Sequence, residues 1–445
     1  MRWDRRKFLR AVATGSIVLP LTGSGWASKA LLSLPSSEHE ADNSLLEELQ
    51  RAAFEYFWNE ADAYTGLVRD RANADGIDAR VTASIAATGF GLTALCIGHE
   101  RNYRPALEIT ERVRTTLHFL LNEAQQVNGF LYHFADIRNG NRLGFSEISP
   151  IDMAILLCGV LTCREAINDG EIRRDATELY ERVDWPWLLN GGDTFSMHWT
   201  PELEFSPKRW DAYCESMMLY LLALGSPTKP IPTRSWEAIR RPYMVYQGYR
   251  YISIPAPLFV HQFSHAWFDF RAKRDQHADY FENSVLACRA HRKFCEELNS
   301  EFPCYSSKVW GITASDSHHG YVAWGGPPML GPIDGTIVPA ASAGSLPFLF
   351  SESLEVLRNL RAYYGKQIWK RYGFVDAFNP LSGWASSDVI GIDVGISMLM
   401  AENARTEFVW NTFMRNPEVR AAMELAGFRA ESSSVAAKYA TPMLS

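Results

Sequence analysis

Two carboxylates stand four residues apart in Arg209-Trp-Asp-Ala-Tyr-Cys-Glu215, directly ahead of an apolar run through Met217, Met218, Leu219, Leu221, Leu222 and Leu224. The run ends at Gly225-Ser-Pro227, a helix stop signal. The pattern predicts a helix over 212–224 with Asp211 and Glu215 on one face at its mouth. A carboxyl group shielded from water beside Trp210 and Tyr213 gains a raised pKa and can serve as a general acid. Asp211 equally fits a capping role, because the helix dipole favours acids at a helix start. Glu215 lies a turn further in, beyond easy capping reach.

Other acids recur in similar settings. In Gly144-Phe-Ser-Glu-Ile-Ser-Pro-Ile-Asp152, Ser149-Pro150 reads as N-cap and first helical residue. Glu147 then sits just outside a helix start and Asp152 in its first turn, where dipole compensation competes with a functional reading. Asp316, His318, His319, Tyr321 and Trp324 crowd one irregular segment after Trp310, a composition suited to hydrogen bonding a hydroxylated ligand. No metal is expected there: adjacent histidines rarely chelate one ion, and no His-x-His or His-Glu-x-x-His accompanies them. His261 and His265 share a face of a helix predicted over 262–273, if that helix begins early enough. Trp384, Asp388 and Asp393 lead into another apolar helix, where Asp393 again has capping as its competitor. There is no Gly-x-Ser-x-Gly elbow and no phosphate-cradling glycine loop. Two carboxylates facing each other across an aromatic-floored cleft is what glycoside hydrolysis requires.

The elements that must carry these groups are helices. A helix opens at Ser44 with Leu46, Leu49, Ala53 and Phe57 on one stripe. Further helices are predicted over 83–97, 104–124, 150–167, 175–189, 280–298, 352–364 and 394–414, with short ones near 340–343 and 417–426. The best strand is 249–254. Long loops rich in Gly, Pro, aromatics and acids separate them. Such a succession without an internal linker or crisp repeat predicts one all-α domain, a closed double ring of helix hairpins over 44–430. Inner helices of such a ring read as apolar all round, and the long loops collect at one rim.

The chain has 445 residues, a formal charge of −7 and no sustained basic stripe, which argues against nucleic-acid binding. Aromatic residues make up 13% of it, in keeping with a cleft that stacks on flat ligands. Asp4-Arg5-Arg6-Lys7-Phe8-Leu9-Arg10, the apolar run 11–21 and the small residues near Ala27 form a twin-arginine signal pattern, too short to span a bilayer. Cleavage after residue 27 removes a net +4 from the −7 and leaves −11. The expectation is a signal peptide (1–27), a polar linker (28–43) and a loose tail (431–445), with the twin-arginine translocase as partner during export and a periplasmic or secreted location. Seven cysteines, odd in number and scattered through apolar stretches, are expected to be free, with one bridge between the nearby Cys295 and Cys304 left open.

The runs Ala86-Ala-Thr-Gly-Phe-Gly-Leu-Thr-Ala94, Gly129-Phe-Leu-Tyr-His-Phe134, Glu147-Ile-Ser-Pro-Ile-Asp152, Trp210-Asp-Ala-Tyr-Cys-Glu215, His261-Gln-Phe-Ser-His265, Trp310-Gly-Ile-Thr-Ala-Ser-Asp316, Asp334-Gly-Thr336 and Glu402-Asn403 resemble the bacterial glucoamylase-like proteins. That group includes the endo-β-1,2-glucanases of glycoside hydrolase family 144 and is related to a domain of cyclic β-1,2-glucan synthases. The resemblance runs from about Leu45 to Phe428. It implies an (α/α)6 barrel, action on a glucan oligo- or polysaccharide with the β-1,2 linkage leading, and no metal or organic cofactor. It places the family's general-acid Glu on Glu215, an active-site Glu on Glu147 and a late Asp on Asp393. Asp152, Trp210, Asp211, Tyr213, His133, His265, Gln262, Trp310, Asp316, His319, Tyr321 and Trp384 become substrate-binding candidates on a monomeric enzyme. The chain departs from the family pattern at Cys214, at Met153 and at Ser317-His-His319, which bears on linkage and chain-length preference. A polysaccharide lyase and a non-catalytic glucan-binding protein are the competing classes.

Overall fold

The computed structural model describes residues 36–431, and the chain divides into two compact units, 1–40 and 41–445. The expected signal peptide and nearly all of the expected tail lie outside the described residues. Among the described residues, no helix is long and apolar enough to cross a membrane.

The chain is mostly helical. Helix α1 (Ser36–Asn59) begins eight residues ahead of the expected Ser44 and buries the stripe of Leu46, Leu49, Ala53 and Phe57. It is followed by α2 (Ile85–Glu100), α3 (Ala106–Asn122), α4 (Pro150–Ala166), α5 (Gly170–Glu181), α6 (Met217–Gly225), α7 (Tyr280–Leu298), α8 (Pro339–Ala343), α9 (Phe350–Asn359), α10 (Gly391–Thr406), α11 (Phe408–Phe413) and α12 (Pro417–Leu425). Helices α2, α4, α6 and α10 are buried along nearly their whole length, as apolar composition on every face requires. Packing links them in order: α2 lies on α4, α4 on α6, α8 on α10, and α10 back on α2. Two 3-10 turns, Leu258–His261 and Phe263–Ala266, fill the place between α6 and α8. There Ser264 Oγ accepts the Met218 N–H of α6, and Gln262 Nε2 donates to the Ala341 carbonyl of α8. Helices α3, α5, α7, α9 and α12 pack against these from the other side.

Glycines set the closest helix approach. A Cβ on Gly89 of α2 would run into the Ile155 carbonyl of α4, and one on Gly159 of α4 into the Gly89 carbonyl. Backbone thus meets backbone where these two helices cross.

Short ribbons punctuate the helix starts. Strand β1 (Arg71–Asn73) pairs antiparallel with β6 (Asp388–Ile390), β2 (Thr82–Ser84) with β3 (Phe134–Asp136), and β4 (Ser315–Ser317) with β5 (Gly320–Val322). Helix α2 follows β2 directly and α10 follows β6, so the ribbons aim the first turns of the buried helices.

Four expectations need correction. The helix expected over 262–273 is replaced by the two 3-10 turns, whose Gln262 and Ser264 side chains are tied to α8 and to the start of α6. The helix expected from residue 212 starts only at Met217. Residues 211–213 are instead tied to another segment: Arg240 N–H donates to the Asp211 carbonyl and Tyr213 N–H to the Arg240 carbonyl, each at 2.8 Å. The helix expected over 175–189 splits into α5 and Trp185–Leu189, where the Asp184 side chain caps by accepting the Trp187 N–H. The helix expected over 394–414 breaks at Glu407, whose φ of 60° ends α10 in the left-handed region. All seven cysteines are free, so Cys295 and Cys304 are not bridged; Cys304 Sγ donates to the Gly335 carbonyl instead.

Candidate active site

Glu215 occupies the turn just before α6, and its residue is 8% exposed. Ser264 Oγ donates to the Glu215 carbonyl at 2.6 Å while accepting the Met218 N–H at 3.0 Å, so one hydroxyl fixes both the acid's backbone and the helix start. Burial raises the Glu215 carboxyl to about 7, and the nearby charge of Asp152 adds to the rise. Asp211 does not share this environment. Half exposed, it pairs with Arg240 at 3.0 Å, which is a reason for its presence that owes nothing to a helix face or a cap.

Asp152 lies in the first turn of α4, after Ser149 and Pro150 as the sequence predicts. Its partner is His133, whose Nε2 stands 3.5 Å from Asp152 Oδ1 while Nδ1 stands 2.8 Å from Glu147 Oε1. Neighbouring backbone holds this arrangement. His133 N–H donates to the Glu147 carbonyl, and Ile148 is paired on one side with Tyr132 and on the other with Trp199. Burial alone would depress the imidazole, but Asp152 and Glu147 outweigh it and lift His133 to about 9. The same hydrogen bond pulls Glu147 below its ordinary 4.5, so Glu147 is ionised across the neutral range. Glu215 and Glu147 are therefore pushed apart, one toward the acid form and one toward the base.

A second acidic group gathers around Asp393 in the first turn of α10. No side chain caps α10, so Asp393 is not a cap. The Asp316 N–H donates to Asp376 Oδ2 at 2.7 Å, and Arg71 Nη1 binds Asp316 at 2.8 and 3.1 Å while its Nε reaches Asp70 at 3.1 Å. Gly391 N–H donates to the Asp70 carbonyl, which ties β1 to the start of α10. Burial and the charges of Asp393, Asp376 and Asp70 push up the Tyr321 hydroxyl, although Tyr321 is 52% exposed. It therefore stands over this group on the β4–β5 hairpin. The charge of Asp70 raises His133 as well as Asp393.

Several candidates lie in the interior instead. Tyr213 donates or accepts at His261, Gln262 is bound to Ala341 and Ser345, and His265 pairs with Ser284 among Phe270, Phe281 and Phe348. Trp310 is fully buried beside His291. Burial holds His261 and His265 at about 3, hence neutral. These four residues, Tyr213, Gln262, His265 and Trp310, position neighbours rather than line a cleft. Trp210 and Trp384 are half-buried, and His319 is exposed with His318 at the hairpin tip. Sequence reasoning missed Asp70, Arg71, Ser264 and Asp376. Asp376 carried a usable signal, a lone acid between the apolar residues Val375 and Ala377. Among the described residues, no group of three or more His, Cys, Asp or Glu is arranged to hold a metal ion.

A family model described as "Putative glucoamylase" matches residues 207–417, the span holding Glu215, Asp316, Asp376 and Asp393. The chain is 28% identical over 86% of its length to an exo β-1,2-glucooligosaccharide sophorohydrolase (non-reducing end) of Parabacteroides distasonis. Over residues 207–417 the chain is similar to the glucoamylase-like group. It spans 58% of that relative's length. Its structure is similar to an endo-β-1,2-glucanase of Chitinophaga pinensis, solved with sophorotriose and glucose, at 25% identity, 87% coverage of this chain, 99% of the other, and a TM-score of 0.82. A β-1,2-glucanase of Parabacteroides distasonis is similar at 25% identity and a TM-score of 0.81, covering 87% of this chain and 60% of its own.

Proposed function

We propose that this glucoamylase-like protein is an exported hydrolase of β-1,2-glucan in which Glu215 protonates the glycosidic oxygen and Glu147 activates the attacking water. The observation that carries the reading is the opposed environment of the two acids. Glu215 is buried and raised to about 7, whereas Glu147 is kept ionised by the His133 imidazolium. Nature of substrate rests on the relatives, all three of which are named for β-1,2-linked glucan.

In the reaction, the Glu215 proton moves to the leaving oxygen as the C–O bond breaks, and a water loses its proton to Glu147 while its oxygen joins the anomeric carbon. Direct attack by that water gives inversion, the course in which acid and base act on opposite faces of the sugar ring without a covalent intermediate. The order in which the buried helices pack favours an (α/α)6 barrel, with these acids at the rim where the first turns of α4 and α10 open. The twin-arginine pattern supports folded export and a periplasmic or secreted location.

Incubation with linear β-1,2-, β-1,3-, β-1,4- and α-1,4-glucans, followed by product analysis, tests the reading. Release of saturated β-1,2-oligosaccharides is the expected result, and their size distribution separates endo from exo cleavage. Unsaturated products absorbing in the ultraviolet would indicate a lyase instead. Binding without cleavage over hours would indicate a glucan-binding protein.

A further inference from the structure

Asp376 and Asp393 hold the least expected pair of oxygens in the molecule. Asp376 is 4% exposed and Asp393 6%. Asp376 Oδ1 and Asp393 Oδ2 are both buried without any donor, although Asp376 Oδ2 already accepts the Asp316 N–H at 2.7 Å. Both residues line one narrow pocket whose walls are otherwise mostly apolar, with Ala53 of α1 and Pro339 of α8 among them. Two buried carboxylate oxygens with no N–H or O–H between them repel unless one carries a proton.

The charged groups around the pair are few. At the start of β1 stand Asp70 and Arg71, on the β4–β5 hairpin Asp316 and Tyr321, and in the wall beyond them Tyr372, whose hydroxyl is engaged by Glu60. Arg71 spends its hydrogen bonds on Asp316 and Asp70, and no donor reaches either orphan oxygen.

We propose that Asp376 and Asp393 share one proton, that Asp393 is the member that carries it and donates to Asp376, and that Asp376 is a positioning residue which keeps Asp393 in its neutral form. The backbone donor on Asp376 decides which partner is ionised: Asp376 has the Asp316 N–H to support its charge, and Asp393 has no donor. Burial raises both carboxyls, Asp376 to about 7, and the hydrogen bond pushes Asp393 up while it pulls Asp376 down. The inference deepens the hydrolase reading, because a neutral Asp393 offers a carbonyl oxygen to a sugar hydroxyl and leaves water activation to Glu147.

Infrared difference spectroscopy tests the shared proton without substrate. At about pH 8, where Glu215 is mostly ionised, the wild-type protein should show a carboxylic-acid C=O stretch that is missing in D393N. In D376N the same band should titrate away at least about one pH unit lower, since a neutral amide can now donate to Asp393. A purely structural defect in D376N would leave the midpoint of that band where it is in the wild type. A wild-type spectrum identical to that of D393N in this region, or a band that stays in place in D376N, would overturn the proposal. Failure of the hydrolase reading is separate: it would show as no cleavage by the wild type, with the infrared result unaffected.

Discussion

His133 donates through Nδ1 to Glu147 Oε1 across 2.8 Å, so this carboxylate has its counter-charge built in. Replacing His133 with Asn removes that cation. The largest influence holding the Glu147 carboxyl down is then gone, and burial raises it. The acid limb of the pH dependence of kcat/KM should therefore move to higher pH in H133N, with the alkaline limb in place. An acid limb that does not move would remove Glu147 from the base role.

Glu215→Gln keeps the shape of the side chain and deletes its proton. General acid catalysis contributes about 10²–10⁴-fold, and kcat should fall by that order on natural glucan with KM little changed. Near wild-type turnover by E215Q, measured from reducing ends released, would end the assignment of Glu215 as acid.

Stability should carry the same signature. The Glu215 carboxyl is raised from an ordinary 4.5 to about 7, so the native state binds a proton that the unfolded chain releases within that interval. Its contribution is present at low pH and is lost as the pH rises through 4.5 to about 7. E215Q cannot titrate and should lose less stability over the same range, becoming the more stable protein on the alkaline side. Thermal melts of both proteins across the interval decide it, and parallel curves would contradict the buried, proton-holding Glu215.

Gly89→Ala and Gly159→Ala should each lower the melting temperature, because a methyl at either place meets backbone of the facing helix rather than a side chain that can turn away. Overpacking of this kind costs about 1–3 kcal/mol. Gly144→Ala is a useful contrast, with open space around it and a cost arising from its φ of 58° alone.

Much of the helical order was legible because uniformly apolar segments such as 150–166 and 391–406 have few other places to go in a folded chain. The prediction of α7 over Tyr280–Leu298 matched to the residue, helped by Asp279 as a side-chain cap. Failure came where long-range backbone pairing competed with helix propensity. Residues 211–215 carry a helix pattern, yet Arg240 captures the backbone there, and a partner 29 residues away leaves no local trace. Glu147, Asp152 and Glu215 were legible as acids near helix starts. The raised carboxyl at the mouth of the 217–225 helix was legible from its apolar setting, whereas the lowered one at Glu147 was not, since it depends on His133 reaching across from another segment. Asp376 escaped for a related reason: its importance comes from facing Asp393, and only the tertiary structure brings them together.

The Ser264 hydroxyl, which grips Glu215 and α6 at once, comes from a segment 46 residues downstream of Met218. No local fragment of the chain can thus assemble its own acid. On the proposed reading, cleavage competence arrives with the contact that joins these segments and not with α6 alone. Refolding followed by glucan turnover and by tryptophan fluorescence or circular dichroism should accordingly show activity trailing helix formation.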